Sequence, residues 1–565
     1  MKSFFIIHFV FFSIAAIAQE KSLQRPNILW IVCEDISPYL GVYGEKAVKT
    51  PNLDKFASES IRYNYAFTVA GVCAPSRSAI ITGMYPSSIG TDHMRTKAVS
   101  KEFMPPGVPN YAAVIPDYVR CFPEYLRLAG YYTTNNEKTD YQFDAPVTVW
   151  DENGPAASYK NRAEGQPFFS VFNLFITHES QLARKDSLKV DPAIVTVPPF
   201  YEDTRLTREA IARNLTNIET MDGQVGEILE DLKKEGLYEN TIIFFYSDHG
   251  GALPWMKREV LDRGIHIPLM IHIPRTPKAA ILDNELVSSV DFAPTVLSLA
   301  GVPIPDYMQG QAFLGSQKSH KRRKYVYAAR DRMDDKYDRV RAVRDLDFEY
   351  IYNYMPEQPS YQDMSYRVNA VPMMKEMLGL RDQGRLNPYA MAWFKAPKEV
   401  EELYDTKNDS YELHNLASDP AYQKKLEELR ATFRKWESQV GDLGGIPEAA
   451  LVASWWDKKP QAPVTSKPAF KAGASGIYIS CDTRGASIGY RIIKSGQEDR
   501  KTKRIVQTWD YGSLTGSAKN GTEIEVAPSW LVYHKKPIPL QKGDKLVVQA
   551  MRIGFDPSTA EFIQP

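Results

Sequence analysis

Cysteine is scarce in this chain, with Cys33, Cys73, Cys121 and Cys481 the four among 565 residues. Four thiols cannot build a disulfide scaffold, so at most one pair could form and the fold must rest on apolar cores. Net charge is missing too, because 69 Lys and Arg balance 69 Asp and Glu. No global field then draws the chain to nucleic acid or to an anionic membrane surface, and neither is expected as a partner; a local basic pocket could still hold an anion. Internal repeats are absent, and so is any apolar run long enough to span a bilayer. The run from Phe4 to Phe12 follows Lys2 and precedes Ala16-Ile17-Ala18 ahead of Gln19, which reads as an export signal over residues 1–18. No cysteine stands at the cleavage point, so a lipid anchor is not indicated. A periplasmic protein is expected, with secretion as the alternative.

What is present is an ordinary globular composition, 43% hydrophobic and 24% charged, in a chain long enough for more than one core. From Asn27 to about Gly315, apolar runs alternate with helical patterns, which predicts a mostly parallel sheet flanked by helices. The clearest strands are Asn27 to Cys33, Phe168 to Phe175 and Thr241 to Tyr246. Ahead of the third, Ile211, Leu215, Ile218, Val225, Ile228, Leu229 and Leu232 follow helical spacing, and Gly236 is placed to stop that helix. The first strand runs into Glu34-Asp35, the second into His178-Glu179, the third into Asp248-His249-Gly250. Open α/β sheets bind ligands outside the carboxyl ends of their strands, so three strands ending in metal-ligand residue types point to one site.

Residues 19–320 thus read as a catalytic α/β domain. Residues 321–457 read as a smaller C-terminal α+β lobe, with a helix from Tyr422 to Trp436. A Pro- and Lys-rich linker follows at 458–468. Short alternating segments with glycine turns, such as Ile477 to Ser480, Ile488 to Ile492 and Leu546 to Ala550, predict an appended β-sandwich over 469–565.

The most informative segment is Cys73-Ala74-Pro75-Ser76-Arg77, followed by Ser78-Ala79-Ile80-Ile81-Thr82-Gly83. It resembles the Cys-X-Pro-X-Arg signature of type I, formylglycine-dependent sulfatases of the alkaline phosphatase superfamily. Pro26-Asn27-Ile28-Leu29, Thr50-Pro51-Asn52-Leu53-Asp54, Tyr246 to Gly250, Val290 to Thr295 and Glu402-Leu403-Tyr404-Asp405 fall in the order of that family. The likeness covers about Arg25 to Val440. The pattern around Glu34-Asp35 and Lys138-Thr139-Asp140 is most similar to the heparan N-sulfatase-like branch and bacterial polysaccharide sulfatases.

The resemblance implies a mechanism. Cys73 would be oxidised to formylglycine by a separate formylglycine-generating maturation enzyme, so that enzyme is an expected partner. One hydroxyl of the hydrated aldehyde would attack the sulfur of a sulfate ester, and the other would later expel sulfate. Arg77 would hold the hydrate. Glu34, Asp35, Asp248, His249 and the oxygen of modified Cys73 are the implied metal ligands, and so carboxylate-rich a set suits one calcium ion better than magnesium. Glu34 stands where many sulfatases carry Asp, and His249 where many carry Asn, a softer ligand replacing an amide oxygen. His178 matches the histidine that protonates the leaving oxygen, a role for which a pKa near working pH is expected. Lys257 matches a lysine that clamps the sulfate, and Lys138 the lysine of a Gly-Lys-X-His motif whose histidine is here Asp140. His93 and Arg95 are candidates for contacting the sugar or another anionic group.

The expected substrate is a sulfated polysaccharide or oligosaccharide, with ulvan-type, carrageenan-type and glycosaminoglycan chains all open. The C-terminal block is similar to small sandwich modules of carbohydrate-degrading enzymes. Two other readings stand beside this one. A phosphatase or phosphonate hydrolase of the same superfamily shares the strand-end metal layout, and a non-catalytic glycan-binding homologue is prompted by Asp140 and His249.

Overall fold

The structure, a computed structural model, describes residues 25–97, 100, 104–274, 280–506 and 521–565. The expected export signal lies outside them. Eight strands form the main sheet: β1 (Asn27–Cys33), β2 (Ile61–Phe67), β3 (Tyr132–Asn136), β4 (Glu152–Asn153), β5 (Phe168–Leu174), β6 (Thr241–Ser247), β7 (His266–His272) and β8 (Ile281–Ser288), in the order β4-β3-β5-β1-β6-β7-β2-β8. Only β7 runs against its neighbours, β6 and β2; every other adjacent pair is parallel. The expected mostly parallel sheet is therefore present, with one reversed strand.

Strand alternation explains why the apolar runs are continuous. On β1, Leu29, Ile31 and Cys33 enter one core, shared with the helix Arg205–Lys234 through Ile211, Leu215, Ile218 and Leu232. Ile28, Trp30 and Val32 enter the other, where the Trp30 ring meets Phe122, Phe169, Phe244 and Tyr246. Both faces of the sheet are covered, so the central strands are mostly apolar on both, and buried polar side chains such as Thr134 and Ser170 pair with each other.

β1 sits between β5 and β6 in matched register, with Cys33 opposite Leu174 on one side and Ser247 on the other. The three chains leave the sheet at one level. A ten-residue helix, Cys73–Thr82, lies across those exits with every residue buried, and left-handed Gly83 (φ 70°) ends it. It is moored there by Ser76 Oγ, which donates to the Asp248 carbonyl at 2.5 Å.

The second lobe is an antiparallel sheet, ordered β12-β11-β10-β9, of β9 (Val326–Arg330), β10 (Val340–Arg344), β11 (Phe348–Asn353) and β12 (Glu401–Asp405). The helix Gln423–Val440 packs on it through Leu426, Leu429, Phe433 and Trp436.

The C-terminal block consists of antiparallel sheets, in which Ile477 and Ile479 of one face Leu546 and Val548 of another. The segment expected as a linker is tied down, since the Thr465 N–H donates to the Asp556 carbonyl at 2.9 Å. The block also docks on the first lobe. Ser487 bonds both Arg120 and Glu124, and the Ser529 hydroxyl donates to the Asp151 carbonyl at 2.7 Å. All four cysteines are free thiols. Among the described residues, no helix is long and apolar enough to cross a membrane.

Candidate active site

The carboxyl ends of β1, β3, β5 and β6 deliver their following residues to one crevice beside Cys73. Cys73 is the first residue of its helix, where unpaired N–H groups and the helix dipole favour an anion. Its Sγ lies 3.2 Å from His249 Nε2 and 4.0 Å from Asp35 Oδ1. One helical turn on, Arg77 Nε donates to Asp248 Oδ2 at 2.9 Å and Nη1 to Asn173 Oδ1 at 2.7 Å, while Nη2 stands 3.8 Å from Glu34 Oε1. The spacing of four between Cys73 and Arg77 is what puts both on the face that meets the strand ends.

Two lysines complete the centre. Lys138 Nζ lies 2.6 Å from Glu34 Oε2 and 3.7 Å from Asp140, and Lys257 Nζ lies 2.5 Å from Asp35 Oδ2. Asp35 Oδ2 also accepts the Glu179 N–H at 2.7 Å. Glu179 in turn holds Arg258 through two bonds of 2.5 and 2.8 Å. The structure thus brings together all of Glu34, Asp35, Cys73, Arg77, Lys138, His178, Asp248, His249 and Lys257. His93 is not with them. It is buried, its Nδ1 accepting the Arg332 N–H and its Nε2 3.9 Å from Glu448, and it does not line the crevice.

Each charge is set by its neighbours. Burial alone would raise Asp35, but Lys257, His249 and His178 hold it well below the usual carboxylate range. Burial likewise works against Asp248, which His249 and Arg77 bring down to about 2. Glu34 differs: burial wins over Lys138 and raises it. Lys138 and Lys257 stay charged against burial because carboxylates face them, Glu34 in one case and Asp35 in the other.

His178 departs from the expectation of a pKa near neutrality. Burial and the neighbouring Lys257 ammonium push it down to about 3, so it is neutral in the free site. Its Nδ1 accepts the Ser180 N–H at 3.3 Å, which leaves the ring proton on Nε2.

The donor set fits a hard cation. Ligand atoms of Glu34, Asp35, Cys73 and His178 lie within 4.8 Å of one another, as do those of Cys73, Asp248 and His249. Buried Glu34 Oε1 has no hydrogen-bond partner among the described residues. His249 Nδ1 faces the Gly250 carbonyl at 3.0 Å, so Nδ1 bears the proton and Nε2 is turned to Asp35 Oδ1 at 2.9 Å and Asp248 Oδ1 at 3.7 Å. A lone pair aimed at carboxylates needs a positive charge between them. Without a metal that charge is a proton: burial opposes it, but Asp248 and Asp35 raise His249 to about 10. A calcium-sized cation held by the same oxygens would serve the same end.

The loop bearing Asp248 and His249 is pinned by a close backbone approach. The Gly250 N–H donates to the Gly264 carbonyl at 2.9 Å, and a Cβ on Gly250 would lie 2.6 Å from the Gly264 carbonyl carbon. Gly250→Ala is therefore expected to displace the pair by a fraction of an ångström or more. The rate should fall roughly 10²-fold, the scale of a 1 Å misplacement. Steady-state kinetics beside a thermal melt would check this, and wild-type kcat in a folded variant would refute the pinning role.

Sequence reasoning missed Asn173, Arg258 and Tyr366. Arg258 carries no motif signal beyond adjacency to Lys257. Tyr366 reaches the crevice from a helix about 290 residues downstream of Cys73, Ser365–Ala370, which no local pattern links to it.

Comparison with known proteins bears on these features. A family model described as Sulfatase matches residues 26–302, and one described as the C-terminal part of N-sulphoglucosamine sulphohydrolase matches 251–365, across the expected boundary at 320. An ulvan-active sulfatase of Formosa agariphila is 43% identical over 96% of this chain and 91% of its own length. Human N-sulphoglucosamine sulphohydrolase is 25% identical over 74% of this chain and 91% of its own. Among solved structures, a complex with the substrate D-glucosamine-2-N,6-O-disulfate aligns at TM-score 0.54 and 18% identity, over 75% of this chain and 99% of that one. A phosphonate monoester hydrolase from Silicibacter pomeroyi aligns equally well, at TM-score 0.54 and 17% identity over 74% and 96%. That fold alone does not separate sulfur from phosphorus chemistry. The 43% identity along nearly the whole chain, together with the match of the Sulfatase model over the residues that build the crevice, does: the chain belongs to the sulfatase family and is a sulfuric ester hydrolase.

Proposed function

We propose that this enzyme removes sulfate from a sulfated polysaccharide or its oligosaccharide fragments, with ulvan the foremost substrate, using Cys73 oxidised to formylglycine and one calcium ion. The observation that carries the reading is the convergence of Cys73, Arg77, Lys138, His178 and Lys257 on three carboxylates at the strand ends. The substrate class rests on the likeness to the ulvan-active sulfatase.

The residues then have distinct tasks. Glu34, Asp35, Asp248 and His249 would hold the cation, which when bound screens the sulfate charge and favours ionisation of the attacking hydroxyl. The aldehyde hydrate at Cys73 supplies the nucleophile, at the position Sγ now marks. Arg77 orients Asp248 and lies one turn from the hydrate. Lys138 and Lys257 present ammonium groups that can take up the sulfate oxygens as charge builds there. His178, neutral in the free site with its proton on Nε2, gives the departing oxygen a hydrogen bond, and it delivers a proton there as imidazolium once the negative charge of bound sulfate offsets Lys257. Asp140, beside Lys138, holds that lysine where the family carries a histidine. Export to the periplasm and maturation of Cys73 by a separate enzyme complete the proposal.

Chelation is the direct test of the cation. Exhaustive demetallation should abolish turnover, and calcium should restore it better than zinc, because oxygen-rich sites prefer a hard ion. Full activity of metal-free enzyme would overturn the roles given to Asp35 and Asp248. Release of sulfate rather than phosphate or phosphonate from matched aryl esters tests the reaction class.

A further inference from the structure

Cys73, His178 and Lys257 lie at one part of a cavity of about 620 Å³ whose walls continue through Arg95, Asp140 and Tyr366. That volume falls within the usual range of ligand pockets and far exceeds what a sulfate group needs. The remainder must therefore receive other parts of the substrate. Two cations stand on that outer wall, Arg95 and Lys97, and they are held differently. Lys97 pairs with Asp144 at its single nitrogen. Arg95 pairs through Nε, 2.8 Å from Asp334 Oδ1, and its head lies over the Tyr366 ring, 5.4 Å from the ring centre. Its two terminal amino groups have no partner among the described residues, and the side chain is 36% exposed.

Such an arrangement is pre-organised. Asp334 is nearly fully buried and holds the guanidinium from one side, and the Tyr366 ring lies within cation–π distance of its head. What is left open is the edge with two parallel N–H donors, which matches two oxygens of one anion. The backbone supports this at a cost. Arg95 and Asp334 are both left-handed, with φ of 59° and 50°. Asp35, Asp140, Gln142 and Arg258, at the same cavity or its centre, are left-handed too. Non-glycine residues adopt this conformation under strain, and such strain gathers where a side chain must be aimed.

We propose that Arg95 is a specificity-determining residue that binds a second anionic group of the substrate, a carboxylate or a second sulfate, while the scissile sulfate lies at Cys73. The inference deepens the glycan reading above and rests on it. Tyr366 lies between the two anion positions: it lines the same cavity, its ring bears the Arg95 head, and the charges of Glu179 and Lys257 reach it. A sugar ring bridging the two positions would pass over it.

The experiment uses the matured, calcium-loaded enzyme and four substrates: an aryl sulfate, and three sulfated disaccharides whose neighbouring group is neutral, a carboxylate or a second sulfate. Wild type is expected to show a KM at least tenfold lower for one charged disaccharide than for the neutral one, and which one it is identifies the anion. Arg95→Ala should erase that preference, raising KM for the preferred disaccharide at least tenfold more than for the aryl sulfate, with kcat affected far less. Arg95→Lys should recover only part of it, since an ammonium keeps charge without the fork. Equal KM for neutral and charged disaccharides in wild type overturns the proposal and needs no variant to fold. So does an Arg95→Ala variant that keeps the preference. If wild type cleaves the aryl sulfate but none of the disaccharides, the glycan reading fails and the role of Arg95 falls with it.

Discussion

Cys73→Ala is expected to remove turnover almost completely, by about 10⁴-fold or more, the scale on which loss of a covalent nucleophile acts. The same change should cost little stability. Cys73 is fully buried, but it contributes only a sulfur atom, which touches His249 Nε2 at 3.2 Å and Asp35 Oδ1 at 4.0 Å. Deleting so small a group leaves a small cavity, worth about 1 kcal/mol. A melting temperature lowered by no more than a few degrees would accompany a dead enzyme. Peptide mass spectrometry of wild type made with a maturation system should find sulfur lost at position 73. Full activity from enzyme in which Cys73 is an unmodified thiol would sink the nucleophile assignment.

His178→Ala should divide substrates by leaving group. A sugar alkoxide needs a proton as it departs, whereas an activated phenolate does not. Loss of a general acid costs on the order of 10²–10⁴-fold, so sugar sulfates should suffer by that factor while aryl sulfates lose far less. The structure adds a constraint. With its pKa pushed down to about 3, His178 enters as neutral imidazole, and its proton sits on Nε2 because Nδ1 faces the Ser180 N–H. In free enzyme no His178 ionisation should then appear in kcat/KM between pH 5 and 8. Equal losses on both substrate classes would instead make His178 a residue that holds the sulfate or the metal shell. His266 could not then take over. Its Nε2 is bonded to the Asn64 carbonyl at 2.8 Å, its ring stacks on Phe67, and it does not line the crevice.

The site was legible wherever chemistry and local order coincide. Glu34-Asp35, His178-Glu179 and Asp248-His249-Gly250 each follow a continuous apolar strand, and parallel sheets place such exits side by side. Cys73 and Arg77 are one helical turn apart, so one short helix carries both. The helix Arg205–Lys234 was readable from its apolar spacing because one face alone is buried, and it runs up to Gly236 as expected. The reversed β7 was not readable. Its residues, His266 to His272, are almost all buried like those of the parallel strands, so direction leaves no trace in the apolar pattern. His93 misled for a related reason. Its nearness in sequence to the Cys73 helix suggested the crevice, but the chain turns inward there and the ring meets Arg332 and Glu448.

By itself the sequence showed a mostly parallel sheet from its apolar runs and the acidic residues from the strands they follow, while the parts given to Cys73, Lys138 and Lys257 came from resemblance to the sulfatases. Only the tertiary structure decided the protonation of His178, the orphaned oxygen of Glu34, the docking of the C-terminal block and the partnership of Arg95, Asp334 and Tyr366. The physical reason is one of range. Periodicity and motif spacing act over a few residues, whereas burial, charge coupling and the aim of a side chain depend on groups brought together from as far apart as Arg95 and Tyr366.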